Sequence, residues 1–245
     1  MYRLRQYIKS ILIETIQDVV AGKKMIFMAG APGSGKSTVL KQLGLVNRFA
    51  IINPDDWYEP FLQEAGISLD VGGFTQKYFD IMSAIRAGQE AGLDISELNI
   101  QRAKLRPTMS QNMKLFSKAR KLAAEEAAKR STEGSDFIID GTGGNYKQIA
   151  NLNNAYIKMG YETAMIYVTI PLETSQERNF QRGEEGKRRI HSRAVEKSWT
   201  SVSGNEQAYS ELYGENFFSI DNSGSFEDYQ LSIESIRNEM DRFLS

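Results

Sequence analysis

Nine consecutive residues carry the most specific chemistry in the sequence. Gly30, Ala31, Pro32, Gly33, Ser34, Gly35, Lys36, Ser37 and Thr38 fit the pattern G-x-x-x-x-G-K-[ST] from Gly30 to Ser37. The glycines permit a tight loop whose backbone N–H groups point at phosphate oxygens. A helix starting inside the loop adds a favourable dipole. Lys36 would reach the β- and γ-phosphates and Ser37 would bind Mg²⁺. The expected ligands are therefore ATP and Mg²⁺.

Carboxylates and arginines lie at spacings that could complete such a site. Asn53-Pro54-Asp55-Asp56-Trp57 follows an apolar run, and Asp140 closes another. If both runs are neighbouring parallel strands, their carboxyl ends open into one crevice. Asp55 could then accept the proton of an attacking hydroxyl, with Asp56 helping to position substrate. An Asp-Asp pair after a strand also reads as a turn or helix cap. Asp140 could support the metal through its water shell, or simply end the strand. Gly141 follows it, so the second acid that many ATPases use to activate water is missing there. No N-K-x-D signature for guanine is present either. Arg178 and Arg182 are four apart and share a helix face. They precede a glycine-flanked basic loop with Lys187, Arg188 and Arg189. Closed over a triphosphate, such arginines would stabilise spreading negative charge and exclude water. Otherwise they form a solvated face. Asn222 and Ser223, after the last apolar run, could contact adenine or make an ordinary turn.

These residues need a scaffold. The chain has 245 residues, 41% hydrophobic and 25% charged, enough for one sizeable core. Short apolar runs at 25–29, 49–53, 136–140, 164–170 and 216–220 alternate with helical patterns such as 38–46. That alternation predicts an α/β fold, a five-stranded parallel sheet flanked by helices. Residues 3–21 read as an amphipathic helix ended by Gly22. We expect one domain over 1–245, with its core at about 22–59 and 131–245. Residues 60–130 interrupt the alternation as a helical insert, with helices over 75–91 and 109–130. Between 101 and 130 nine Lys/Arg face only Glu125 and Glu126, a net +7. This is either a solvated helix face or a surface that receives a polyanion such as nucleic acid.

Composition also excludes. Thirty Lys+Arg against 31 Asp+Glu leave a formal charge of −1, so no global basic field exists. With no cysteine, there is no disulfide, thiolate metal site or cysteine nucleophile. One histidine, His191, excludes a clustered-histidine metal site and is read as non-catalytic. The apolar stretch 8–20 is broken by Lys9, Glu14, Gln17 and Asp18, against a membrane span or signal peptide. The expected location is the cytoplasm.

Together, G-A-P-G-S-G-K-S-T, I-N-P-D-D, I-I-D-G-T and E-R-N-F-Q-R-G resemble the kinase domain of phage polynucleotide 5′-hydroxyl kinases. The zeta-toxin-like kinases share the same plan. Order and spacing agree from Lys24 to Asp56 and from Ser135 to Asn222. The resemblance implies a P-loop kinase, possible phage origin, and roles for matching positions. Lys36 and Ser37 match the phosphate-loop pair and Asp55 the general base. Arg182 matches an arginine contacting the donor phosphates, with Arg178 its neighbour, and Asp140 the aspartate ending strand three. Polynucleotide kinases carry an arginine three residues after the base, where this chain has Tyr58. The leading expectation is phosphorylation of a nucleic-acid hydroxyl, a 5′ end or a hydroxymethylated base, through insert 60–130. The alternative is a small acceptor such as a nucleotide sugar. A third reading is an ATP-binding switch that transfers nothing.

Overall fold

The computed structural model describes residues 22–245, and the helix expected over 3–21 lies outside the described residues. Five strands form one parallel sheet: β1 (Lys24–Gly30), β2 (Ala50–Ile52), β3 (Phe137–Asp140), β4 (Glu162–Thr169) and β5 (Phe217–Asp221). Their spatial order is β2-β3-β1-β4-β5. All five apolar runs are strands, as the alternation predicts.

β1 is central and buried on both faces, with Met25 to Ala29 at most 2% exposed. This is why its sequence is a continuous apolar run without alternation. The strand period of two still sorts its side chains. Ile26 and Met28 pack beside Val39 and Leu40 of α1 (Lys36–Gln42) and Ile233 of α9 (Phe226–Leu244). Met25, Phe27 and Ala29 pack on the other face. There they share a cluster with residues of α4 (Ser96–Thr132), α5 (Tyr146–Met159) and α8 (Glu206–Tyr213). Because the chain runs from β1 to β2 and β3 on one side and then crosses to β4 and β5 on the other, the loop after β1 lies at a topological switch point.

The helix expected over 38–46 starts earlier, at Lys36, and is followed by a separate 3₁₀ turn at Leu45–Asn47. Gly44, at φ 71°, separates the two. α2 (Asp55–Glu64) begins on the Asp-Asp pair itself. α3 (Val71–Glu90) starts before the expected residue 75, because the Asp70 side chain caps the Gly73 N–H at 2.9 Å. α4 runs for 37 residues, about 55 Å. It starts before the expected residue 109 and passes through Pro107, where a helix loses a backbone bond. Ala119, Ala123, Ala127 and Ser131 recur every fourth residue and are buried. Ala123 and Ala127 pack onto the sheet, while Ala119 joins Tyr58, Leu62, Ile67 and Val71 in a smaller core. The long helix therefore serves both cores. Among the described residues no helix is long and apolar enough to cross a membrane.

Candidate active site

The loop between β1 and α1 depends on two glycine positions above all. At Gly30 (φ 154°) a Cβ would lie 2.6 Å from Ser34 Oγ and 2.7 Å from the Val168 carbonyl oxygen. At Gly35 (φ 92°) it would lie 2.5 Å from Asn222 Nδ2. Three side chains from elsewhere hold three successive carbonyls of the loop. Ser175 Oγ donates to Pro32 O at 2.6 Å, Arg178 Nη1 to Gly33 O at 3.3 Å, and Asn222 Nδ2 to Ser34 O at 2.7 Å. Ser175 and Arg178 come from α6 (Leu172–Glu184), and Asn222 follows β5. α1 starts at Lys36; the Thr38 N–H already donates to Gly35 O at 2.9 Å, which leaves the Lys36 and Ser37 N–H groups without intrahelical acceptors. Ser37 and Thr38 are exposed there, while Ala31 is buried beneath the loop.

Lys36 Nζ folds back on the loop, donating to Gly30 O at 2.9 Å and Ala31 O at 3.3 Å. Burial pushes its pKa below the ordinary lysine value. Asp140 and Asp55 oppose that shift, while Arg182 and Arg188 reinforce it. Lys36 thus lies in the field of two carboxylates and two guanidiniums. Asp55, Asp140 and Arg182 are among the site residues expected from the sequence, and all three lie within electrostatic reach of this lysine.

Asp140 ends β3 in register with Met28 and is 5% exposed. Its Oδ2 accepts from Asn53 Nδ2 at 2.9 Å, while its buried Oδ1 has no partner. Burial raises its pKa, Lys36 pulls it down and Asp55 raises it further. Asn53 also makes a second bond, in which its Oδ1 accepts the Asp55 N–H at 2.9 Å. One amide therefore ties the carboxylate at the end of β3 to the start of α2. Asn53 lies within the N-P-D-D-W motif, but nothing in the motif itself discloses this link.

Asp55 is the first residue of α2, half-buried, and its Oδ2 accepts from Arg188 Nη2. Arg188 Nε also donates to Glu59 Oε1 at 3.3 Å, and its guanidinium lies 5.6 Å over the Tyr58 ring. Tyr58 is buried and donates its hydroxyl to Asn112 Oδ1. A guanidinium therefore does stand beside Asp55, delivered by residue 188. The basic loop is visible in the sequence, but its target lies 133 residues away. Asp56 is exposed, with its pKa raised by partial burial and then by Asp55 and Glu59.

The two arginines of α6 separate in role. Arg178 packs on the phosphate loop, its Cβ 3.2 Å from where a Gly33 Cβ would be. Arg182, exposed one turn later, acts on Lys36 through its charge. Asn222 supports the loop directly. His191 is buried and caps α7 (Ser192–Ser203), accepting the Arg193 N–H on Nδ1 at 3.0 Å.

Residues 25–203 match the family described as AAA domain. No curated protein matches the chain. Among solved structures, a candidate kinase from Chloroflexus aurantiacus superposes with a TM-score of 0.57 at 14% identity, over 91% of this chain and 99% of that one. A shikimate kinase from Acinetobacter baumannii in complex with shikimate reaches 0.44 at 12%, over 91% and 96%. A structure of the PezAT chromosomal toxin–antitoxin system of Streptococcus pneumoniae reaches 0.48 at 16%, over 97% and 96%. The first of these shows a shared fold. The sheet order, the flanking helices and the glycine-rich loop after β1 are those of a P-loop NTPase of the kinase type.

Proposed function

The chain belongs to the AAA domain family, and we propose that it is an ATP-dependent kinase that phosphorylates a hydroxyl of a small molecule. One observation carries this reading. Asp55 sits at the carboxyl edge of the sheet, within electrostatic reach of Lys36, where a γ-phosphoryl group on the loop would meet an acceptor. In the proposed reaction Asp55 takes the hydroxyl proton, the acceptor oxygen bonds to the γ-phosphorus, and ADP leaves. Lys36 and Arg182 stabilise the charge on the phosphoryl oxygens. Arg178 and Asn222 keep the loop in shape, and Arg188, bonded to Oδ2, orients Asp55 and leaves its other carboxylate oxygen to the acceptor.

The residues also fit Mg²⁺. Asp140 Oδ1 is buried without a donor, a state that costs about 1–3 kcal/mol unless something supplies one. A hydrated cation held by the exposed Ser37 hydroxyl and, through its waters, by Asp140 would do so. Bound there, Mg²⁺ supplies positive charge to the phosphate oxygens. Among the described residues no group of three His, Asp or Glu could hold a metal unaided. That matches a cation carried largely by nucleotide phosphates. Asp140→Asn should raise the Mg²⁺ concentration for half-maximal nucleotide binding by about 10–100-fold. Titrating Mg²⁺ against a fluorescent ATP analogue measures it.

Charge around the acceptor side favours a small molecule over a polynucleotide. Asp55, Asp56 and Glu59 present three carboxylates against Arg188, an unfavourable field for a phosphodiester backbone. The basic residues of α4 are in part engaged elsewhere. Arg130 pairs with Glu126 at 2.7 Å, Lys121 with Glu125 at 3.6 Å, and Lys118 lies 4.1 Å over the Phe61 ring. The test offers γ-labelled ATP with a metabolite extract in one arm and oligonucleotides in another. The oligonucleotides carry 5′-hydroxyl ends or hydroxymethylated bases. Label in a small phosphomonoester supports the proposal. Label on oligonucleotide, falling steeply with salt, would replace it with a nucleic-acid acceptor held by insert 60–130.

A further inference from the structure

Two adjacent residues of the segment after α6 do opposite things. Arg188 turns to Asp55 and Glu59. Arg189 turns away into a two-bond fork with Asp70, Nε to Oδ1 at 2.6 Å and Nη2 to Oδ2 at 2.8 Å. Extended backbone imposes this alternation, because successive side chains leave opposite sides of a strand. The insert itself keeps the segment extended. The Arg189 N–H donates to Leu69 O at 3.0 Å and the Gly72 N–H to Arg189 O at 2.9 Å. These bonds form a parallel bridge between Asp70 and Arg189. Asn179 grips the next residue twice, donating to Ile190 O at 2.8 Å and accepting from the Ile190 N–H at 3.1 Å. Where the segments cross, no Cβ fits. One at Gly72 would lie 2.7 Å from Ile190 O, and one at Gly183 would lie 2.7 Å from Arg189 Cδ.

We propose that Asp70 is a positioning residue for the acceptor side of the site. Through its fork with Arg189 and the backbone bridge, the insert braces residues 187–190 so that Arg188 is held at Asp55. A bidentate guanidinium–carboxylate pair fixes orientation as well as distance, which suits a brace. The segment between β2 and β3 then takes part in the reaction, because it sets the arginine that orients Asp55 toward its acceptor. Only the kinetic arm of the test below rests on the kinase reading.

The chain has no cysteine, so Lys187→Cys takes a single nitroxide label on an exposed residue beside Arg188. Its spectrum should show a restricted segment. Asp70→Asn should free the label, and Arg189→Lys, which keeps the charge but loses the fork, should free it partly. Melting curves come first, and if Asp70→Asn does not fold, Arg189→Lys decides. In the kinetic arm the metabolite fraction that accepts phosphate is the probe. Asp70→Asn should lower kcat by about 10–100-fold, the cost of a misplaced group. The KM for ATP should stay within about twofold, since uniform binding is untouched. Adding Asp70→Asn to Arg188→Ala should cost nothing further, because both act through one group. A label that stays restricted in the single variants, or kinetic losses that simply add, would each overturn the brace. If no transfer to any acceptor is found, the kinase reading fails while the label still decides the brace.

Discussion

Asp55→Asn is expected to lower phosphoryl transfer by about 10²–10⁴-fold, the usual worth of a positioned general base. Nucleotide affinity should stay within about twofold, because the hydrogen bonds of Asp55 go to Asn53 and Arg188 and the residue acts in the transfer step. Asparagine keeps the size of the side chain and can still accept the Arg188 hydrogen bond, but cannot take a proton at neutral pH. Stability should change little. Asp55 lies in the first turn of α2, where a carboxylate is worth about 0.3–1 kcal/mol against the helix dipole. Single-turnover transfer beside equilibrium nucleotide binding separates the two quantities. A variant that transfers normally would remove Asp55 from the reaction and leave it as a first-turn carboxylate paired with Arg188.

Lys36→Ala should weaken nucleotide binding and transfer together. Hydrogen bonds from a charged donor are worth about 1.5–3 kcal/mol each, so the nucleotide Kd should rise by roughly 10–150-fold. Transfer should fall further, because charge on the phosphoryl oxygens grows toward the transition state. Lys36 is held between Gly30 O and Ala31 O under burial that already disfavours its charge. A phosphate at the loop would give the ammonium a better partner than these carbonyls. Lys36→Met, which keeps the alkyl stem, controls for packing; it should bind nucleotide as poorly as Lys36→Ala. Isothermal titration with ATP, followed by transfer at saturating nucleotide, measures both effects. Unchanged affinity in both variants would contradict the assignment of the loop.

The contrast between these two residues and Arg188 shows what a sequence can disclose. The phosphate loop is a local device, since its glycines, lysine and serine are contiguous and their chemistry follows from backbone conformation. Asp55 and Asp140 are nearly as legible. Each follows or ends an apolar run, and a parallel sheet brings such ends to one edge. The contacts that set their surroundings are not local. Asn222 meets Ser34 across 188 residues and Arg188 meets Asp55 across 133. No periodicity announces either meeting. The glycine-flanked basic loop is visible as charge, but whether it touches phosphate, carboxylate or water depends on the path of residues 187–190. That path depends on Asp70, in an insert legible only as helical and basic. The helix expected over 109–130 is longer in the structure, starting at Ser96 and running through Pro107.

Transfer to a hydroxyl other than water's is the central claim, and the fate of the γ-phosphate tests it most directly. The protein would be incubated with γ-labelled ATP, Mg²⁺ and the small-metabolite fraction in ¹⁸O-enriched water. Wild-type protein should place the label in an organic phosphomonoester without solvent oxygen, and Asp55→Asn should abolish that product. Label recovered only as inorganic phosphate carrying solvent oxygen, at equal rates in both proteins, would mean that the chain hydrolyses ATP and that Asp55 has no acceptor to activate.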